Sequence, residues 1–109
     1  MRMIVALVQP ERLDAVLEAL TDVGVSGLTL AESRGLGRDA SAVGTARLRL
    51  RPRVRLEIAV PADRLPTLLE ALRGAAGGRT AGYGMLFVLE LESALRIRTG
   101  ERDHLAIGD

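Results

Sequence analysis

The stretch Arg47-Leu48-Arg49-Leu50-Arg51-Pro52-Arg53-Val54-Arg55-Leu56-Glu57-Ile58-Ala59-Val60 has an arginine at every second position from 47 to 55. Side chains of an extended chain alternate between faces, so the five guanidinium groups share one face and Leu48, Leu50, Val54, Leu56 and Ile58 share the other. A helix would spread the arginines around its axis and leave no apolar stripe. The stretch therefore predicts a long strand interrupted at Pro52, with 47–51 rising out of a sheet and 53–60 lying within it. One helix-containing unit precedes it and a second follows.

Before it, Met1 to Val8 alternates Met3, Val5 and Leu7 with Ile4, Ala6 and Val8, as a central strand does, and Pro10 ends it. From Glu11 to Val23, Leu13, Val16, Leu17, Leu20 and Val23 recur at helical spacing, with Gly24 as a C-terminal stop. Val25 to Ser33 reads as a second strand. Gly35-Leu36-Gly37-Arg38 reads as a turn or a ligand loop, and Asp39 to Ala46 as a mobile loop of small residues.

After it, Pro61 to Ala76 repeats the helical unit, with Leu65, Leu68, Leu69 and Leu72 as the apolar stripe, Asp63 as a candidate cap and Pro66 placed in the first turn. Gly82-Tyr83-Gly84 leads into an apolar strand, Met85 to Leu91; Arg96 and Arg98 then share an extended face opposite Ile97. The tail 101–109 is polar apart from Leu105-Ala106-Ile107, which either docks or frays. Strand, proline, helix, strand thus occurs twice. The expected fold is α+β, a ferredoxin-like double β-α-β sandwich whose antiparallel sheet carries two helices on one face.

A chain of 109 residues forms one domain, 1–109. One Phe, one Tyr and no Trp leave its core to Leu, Val, Ile and Ala. The absence of cysteine excludes thiol chemistry, and His104 alone makes no metal site. No long apolar run suggests a signal peptide or membrane span, so a cytoplasmic protein is expected. Net charge is +1, yet between Ser33 and Leu56 seven arginines face Asp39 alone, a local balance of +6. Such a patch draws phosphates, a carboxylate ligand or an acidic partner surface.

Four pieces in this order, Gly35-Leu36-Gly37-Arg38, Pro52 to Ile58 with Val60-Pro61, Gly82-Tyr83-Gly84 with Phe87-Val88, and Ala94 to Glu101, make the chain resemble the nitrogen-regulatory PII signalling family. The resemblance runs from the first strand through Gly100. It implies a homotrimer with sheets facing the centre and ligand clefts between subunits, each holding ATP or ADP and sometimes 2-oxoglutarate with magnesium. It also implies a loop, here 39–51, that docks onto a regulated protein such as a membrane transporter or metabolic enzyme. Carried over residue by residue, it places Gly35, Gly37, Arg38, Gly82, Gly84, Arg96 and Arg98 on the phosphate side or in the cleft wall and Thr29 near the adenine. Guanidinium forks and glycine amides suit phosphate oxygens.

Three departures narrow this reading. Asp39 stands where the family has glutamine, and a carboxylate repels 2-oxoglutarate unless a metal intervenes. Met85 stands where the family presents a lysine to the phosphates, which weakens triphosphate binding most and leaves ADP, AMP, cyclic AMP or another small anion as candidates alongside ATP. The loop is about five residues shorter than usual and lacks a tyrosine; Tyr83 lies in the cleft turn, and Ser41 and Thr45 are its hydroxyls.

Arg47, Arg49 and Arg51 read equally as a solvated edge that discourages strand pairing or as a partner surface, and Arg53 and Arg55 as ligand contacts or as ion-pair partners of Glu57 or Glu90. No nucleophile and base pair suggests catalysis, so no enzymatic activity is expected; the alternatives to a sensor are a nucleotide-free scaffold trimer or a weak hydrolase. Scarce aromatic residues argue against specific nucleic-acid binding.

Overall fold

The computed structural model describes residues 1–39, 47–77 and 84–108. Four strands, β1 (Arg2–Val8), β2 (Thr29–Asp39), β3 (Arg47–Val60) and β4 (Met85–Glu90), form one antiparallel sheet in the order β2-β3-β1-β4. Helices α1 (Leu13–Asp22) and α2 (Leu65–Ala76) follow β1 and β3, each entered through a single 3-10 turn, and a one-turn α3 (His104–Ile107) ends the chain. This is the expected α+β, ferredoxin-like arrangement, with both helices packed on one face. Among the described residues no helix is long and apolar enough to cross a membrane.

The alternation of the opening stretch sets which face is buried. Val54, Leu56, Ile58 and Val60 pair with Val8, Ala6, Ile4 and Arg2, and the apolar members of that set form the core with Val16 and Leu20 of α1 and Leu68 and Leu72 of α2. The intervening residues face away from the helices. There Arg55, Glu57 and Ala59 lie beside Leu7, Val5 and Met3, which in turn adjoin Met85, Phe87 and Leu89.

Each helix ends as its sequence suggests. Gly24 has φ 91, the left-handed conformation that favours glycine. It lets Gly24 N–H reach Thr21 O at 3.0 Å and Val25 N–H reach Leu20 O at 2.9 Å, the paired bonds of a Schellman stop. The Arg64 guanidinium donates to the Val23 carbonyl, tying the second unit to this end of α1. Pro66 does lie in the first turn of α2, where its missing N–H costs nothing. Asp63 does not cap α2: the N-cap is Arg64, without a side-chain cap bond, and Asp63 belongs to the preceding 3-10 turn.

Other expectations are corrected. β3 runs unbroken through Pro52, which pairs with Arg34. The β1 register ends at Val54, so Pro52 has a strand neighbour on one side only, where a residue without an N–H is tolerated. β2 starts at Thr29, not Val25, and continues through Gly35, Leu36, Gly37 and Arg38 to Asp39. Those residues are strand, not turn, because β3 supplies a partner for each: Gly35 opposite Arg51, Gly37 opposite Arg49, Arg38 opposite Leu48. Residues 33–39 and 47–53 therefore form a two-stranded arm projecting past β1, and the molecule's longest extent is 55 Å. Residues 40–46, with Ser41 and Thr45, lie outside the described residues.

Arg96 and Arg98 do not share an extended face. Leu95 bridges Arg102, Arg96 N–H donates to Glu101 O at 2.9 Å and Gly100 N–H to Arg96 O at 2.8 Å, so Ile97 to Thr99 form the tip of a tight turn. Gly100 at φ 78 closes it. The tail docks through α3, with Ile107 half buried and Leu105 exposed.

Candidate functional site

The candidate residues are distributed along the strand axis, and β3 serves as the ruler. Arg38 lies level with Leu48, Gly37 with Arg49 and Gly35 with Arg51, all on the arm. Gly84 immediately precedes Met85, which is level with Leu7 and so with Arg55. Thr29 lies level with Glu57, in the middle of the sheet and on its helix-free face. The Leu91 N–H donates to Met1 O at 3.1 Å, which fixes the start of the C-terminal segment at the opposite end, beside Val60. Arg96 and Arg98 lie beyond that point. From Leu48 to Val60 the strand rises roughly 40 Å at ~3.3 Å per residue. One chain thus holds Gly35, Gly37, Arg38 and Gly84 toward one end and Arg96 and Arg98 beyond the other; it does not bring them together. Gly82 and Tyr83 lie outside the described residues.

Local geometry differs among these positions. A Cβ on Gly84 would fall 2.3 Å from the Leu7 carbonyl oxygen, so glycine is required there by the close approach of β1. Gly35 has no such demand: its nearest neighbour would be Arg53 Cγ at 3.5 Å, an ordinary contact. Arg96 donates from Nη2 to Ala106 O at 2.9 Å and meets Glu101 Oε1 through Nε at 3.5 Å. Thr99 Oγ1 donates to the same carboxylate oxygen at 2.8 Å. Arg98 is exposed at the turn.

The basic face of β3 resolves in part. Arg55 pairs with Glu57 at 3.2 Å, two residues along the same face, so the ion-pair reading of Arg55 holds within this strand. Glu90 pairs instead with Arg2 at 3.0 Å, across the β1–β4 ladder. Both pairs are solvent-accessible and contribute no more than about 1 kcal/mol each. Ser33 Oγ donates to Arg53 O at 3.4 Å, binding β2 to β3 where the arm leaves the sheet.

Two hollows adjoin these residues. One, of about 390 Å³, lies between the start of β4 and the end of α2, with Gly84, Met85, Leu7, Leu72 and Arg73 among its walls. Helical periodicity places Arg73 outside the apolar stripe of α2 and gives no signal that it lines a hollow; only the docking of α2 beside β4 does so. The other, of about 590 Å³, lies at the Val60 end beneath α3. Among the described residues no three His, Cys, Asp or Glu side chains are grouped to hold a metal ion.

Met85, Phe87 and Leu89 are 60%, 49% and 49% exposed on the helix-free face, an apolar band on an edge strand.

Comparison with known proteins agrees with the fold. A profile of the family described as nitrogen regulatory protein P-II matches residues 1–101. Nitrogen regulatory protein P-II of Haemophilus influenzae is 38% identical, with 98% of this chain and 100% of the relative covered. The protein of the same description from Rhizobium etli is 36% identical and nitrogen regulatory protein GlnK of Escherichia coli K12 is 33% identical, over the same shares of each chain. The Haemophilus alignment takes 112 positions against the 109 residues of this chain, so at least three positions lack a counterpart here. With the profile matching nearly its whole length, the chain belongs to the P-II family of nitrogen regulatory signal-transduction proteins.

Proposed function

We propose that the chain is the subunit of a trimeric signal-transduction protein that senses an adenine nucleotide in clefts assembled between copies and passes the bound state to a regulated protein through its β2–β3 arm. The observation that carries this reading is the division of the candidate residues between two ends of one sheet. Gly35, Gly37, Arg38 and Gly84 of one copy complete a cleft only when Thr29, Arg96 and Arg98 of another approach them. The exposed band of Met85, Phe87 and Leu89 supports burial between copies, since a chain this small gains stability by covering such a surface.

The residues suit the ligand class. Guanidinium forks at Arg96 and Arg98 donate to phosphate oxygens in pairs, and the backbone amides at Gly82 and Gly84 add donors without side-chain bulk. A bound nucleotide supplies only charge and shape here; the protein's part is to bind and orient it, as a regulator and not as an enzyme. Met85 adds no charge at the start of β4, so the γ-phosphate loses a cation and the site favours shorter phosphate chains. No residue is assigned to magnesium. A regulated partner, a transporter or a metabolic enzyme, would meet the arm from 33 to 53.

A mixing experiment tests the cleft. Arg98→Ala and Arg38→Ala each lower ADP affinity by roughly 10- to 100-fold through loss of a charge-assisted contact. When the two variants are unfolded together and refolded as mixed trimers, about a quarter of clefts carry both native ends and recover native affinity. Calorimetry that finds no recovered sites in the mixture would place both arginines in one chain's own site or in none. Separately, Met85→Lys is expected to raise ATP affinity about 10-fold while changing AMP affinity little, since the added cation reaches only the distal phosphate. Equal gains for the two nucleotides would move Met85 away from the phosphate end.

A further inference from the structure

We propose that Arg96 latches α3 over the cavity at the Val60 end of the sheet, and that an anionic ligand taking Arg96 must release the latch. The identity of the anion rests on the nucleotide reading above; the latch itself does not.

The cavity holds about 590 Å³ and is walled by the Gly24–Gly27 connection, the last residues of β3, the turn around Asp63 and Leu68. Its remaining lining comes from His104, Ile107 and Gly108. α3 has only four residues, too few to persist as a helix on its own, so its position depends on tethers and on docking. Three hydrogen bonds from the preceding segment bear on its position. Ala94 N–H donates to Asp103 Oδ1 at 3.1 Å, and Asp103 N–H returns a bond to Ala94 O at 2.9 Å. Arg96 Nη2 donates to Ala106 O at 2.9 Å. Of these, the Arg96 bond alone reaches α3 itself; the other two stop at its N-cap.

The Ala106 carbonyl is one of the C-terminal acceptors that a helix cannot satisfy internally, and a guanidinium is a strong partner for it. Nη2, which contacts Ala106, and Nε, which contacts Glu101, together form one edge of the guanidinium fork. That edge is one that would present two parallel N–H groups to a phosphate or carboxylate. Bidentate capture of an anion through Nε and Nη2 displaces Glu101 and competes with Ala106 for Nη2. The pivot for this movement is Asp103, at φ 55 and ψ −122, the one non-glycine residue with positive φ among the described residues, anchored by its reciprocal bonds to Ala94. Anion binding at the turn thereby frees α3 from the cavity it helps to wall, and the C-terminal segment reports occupancy.

The test uses the full chain and two measurements. In ligand-free protein, backbone NMR order parameters of Ala106, Ile107 and Gly108 are expected near 0.8 in the wild type and below about 0.6 in Arg96→Gln, with Arg96→Lys intermediate and β1 and β3 unchanged. Equal values in wild type and Arg96→Gln overturn the latch. Reciprocity then requires that loosening α3 tighten the anion. Ile107→Asp places a carboxylate against the apolar wall and is expected to raise affinity for ADP, or for inorganic pyrophosphate, about fivefold. Unchanged affinity overturns the competition. Pyrophosphate binding without ADP binding defeats the nucleotide reading alone, whereas binding of neither probe to either chain defeats both that reading and the competition.

Discussion

Leu56→Ala is expected to destabilise the protein by about 2–5 kcal/mol, whereas Leu50→Ala on the same strand and the same face is expected to cost no more than about 0.5 kcal/mol. Leu56 is fully buried, paired with Ala6 on one side and Leu30 on the other and packed in the core shared with both helices. Truncating it removes the transfer free energy of its methyl groups and leaves a cavity that the surrounding strands cannot collapse to fill. Leu50 stands six residues away on the arm, where β3 pairs with β2 but not with β1, and is 57% exposed. Denaturant unfolding at a fixed protein concentration measures both, because assembly would add to the apparent stability. Comparable losses for the two variants would mean that Leu50 is covered in the assembled protein, and would make the arm part of an interface between copies.

Gly84→Ala is expected to cost about 1–3 kcal/mol, while Gly27→Ala changes stability by less than about 0.5 kcal/mol. The new Cβ at position 84 would sit 2.3 Å from the Leu7 carbonyl oxygen and 3.4 Å from its carbon, so β1 and the start of β4 must separate. At Gly27 nothing lies within 4 Å of the corresponding point. The contrast matters for function. A loss of nucleotide affinity in Gly84→Ala would combine any lost ligand contact with displacement of Met85, so stability and affinity must be measured on the same variant. If Gly84→Ala retains full stability, the close approach to Leu7 is relieved without shifting the strands, and any loss of affinity then belongs to the ligand site.

Much of the fold was legible because it depends on short-range pattern. The alternation of Ile4, Ala6 and Val8 and of Val54, Leu56, Ile58 and Val60 is a statement about faces, and pairing the two strands only brings together faces already apolar. The leucines of α1 and α2 repeat at helical spacing and needed only a sheet to cover. Gly24 marked the end of α1 because a left-handed residue is needed there. The strand from Gly35 to Asp39 was not legible in this way. Its two glycines favour a turn locally, and only the register that sets Arg51, Arg49 and Leu48 opposite Gly35, Gly37 and Arg38 supplies the backbone bonds that hold it extended. The same holds for Ala94 to Arg102, where alternation suggested an extended run and the bonds between Arg96 and Glu101 and between Arg96 and Gly100 close a turn.

The candidate site divides along the same line. Sequence by itself determined which residue types stand in which order, and with them the family and the alternation of arginines along β3. Tertiary structure alone decided that Arg96 is engaged by Ala106 and Glu101, and that Gly35, Gly37 and Gly84 on one side and the C-terminal arginines on the other lie toward opposite ends of one sheet. The reason is the range of the forces involved. Side-chain periodicity is a property of the backbone's local geometry, whereas a hydrogen bond or ion pair exists only when folding brings two distant groups within about 3–4 Å, and nothing in the spacing of residues along the chain encodes that distance.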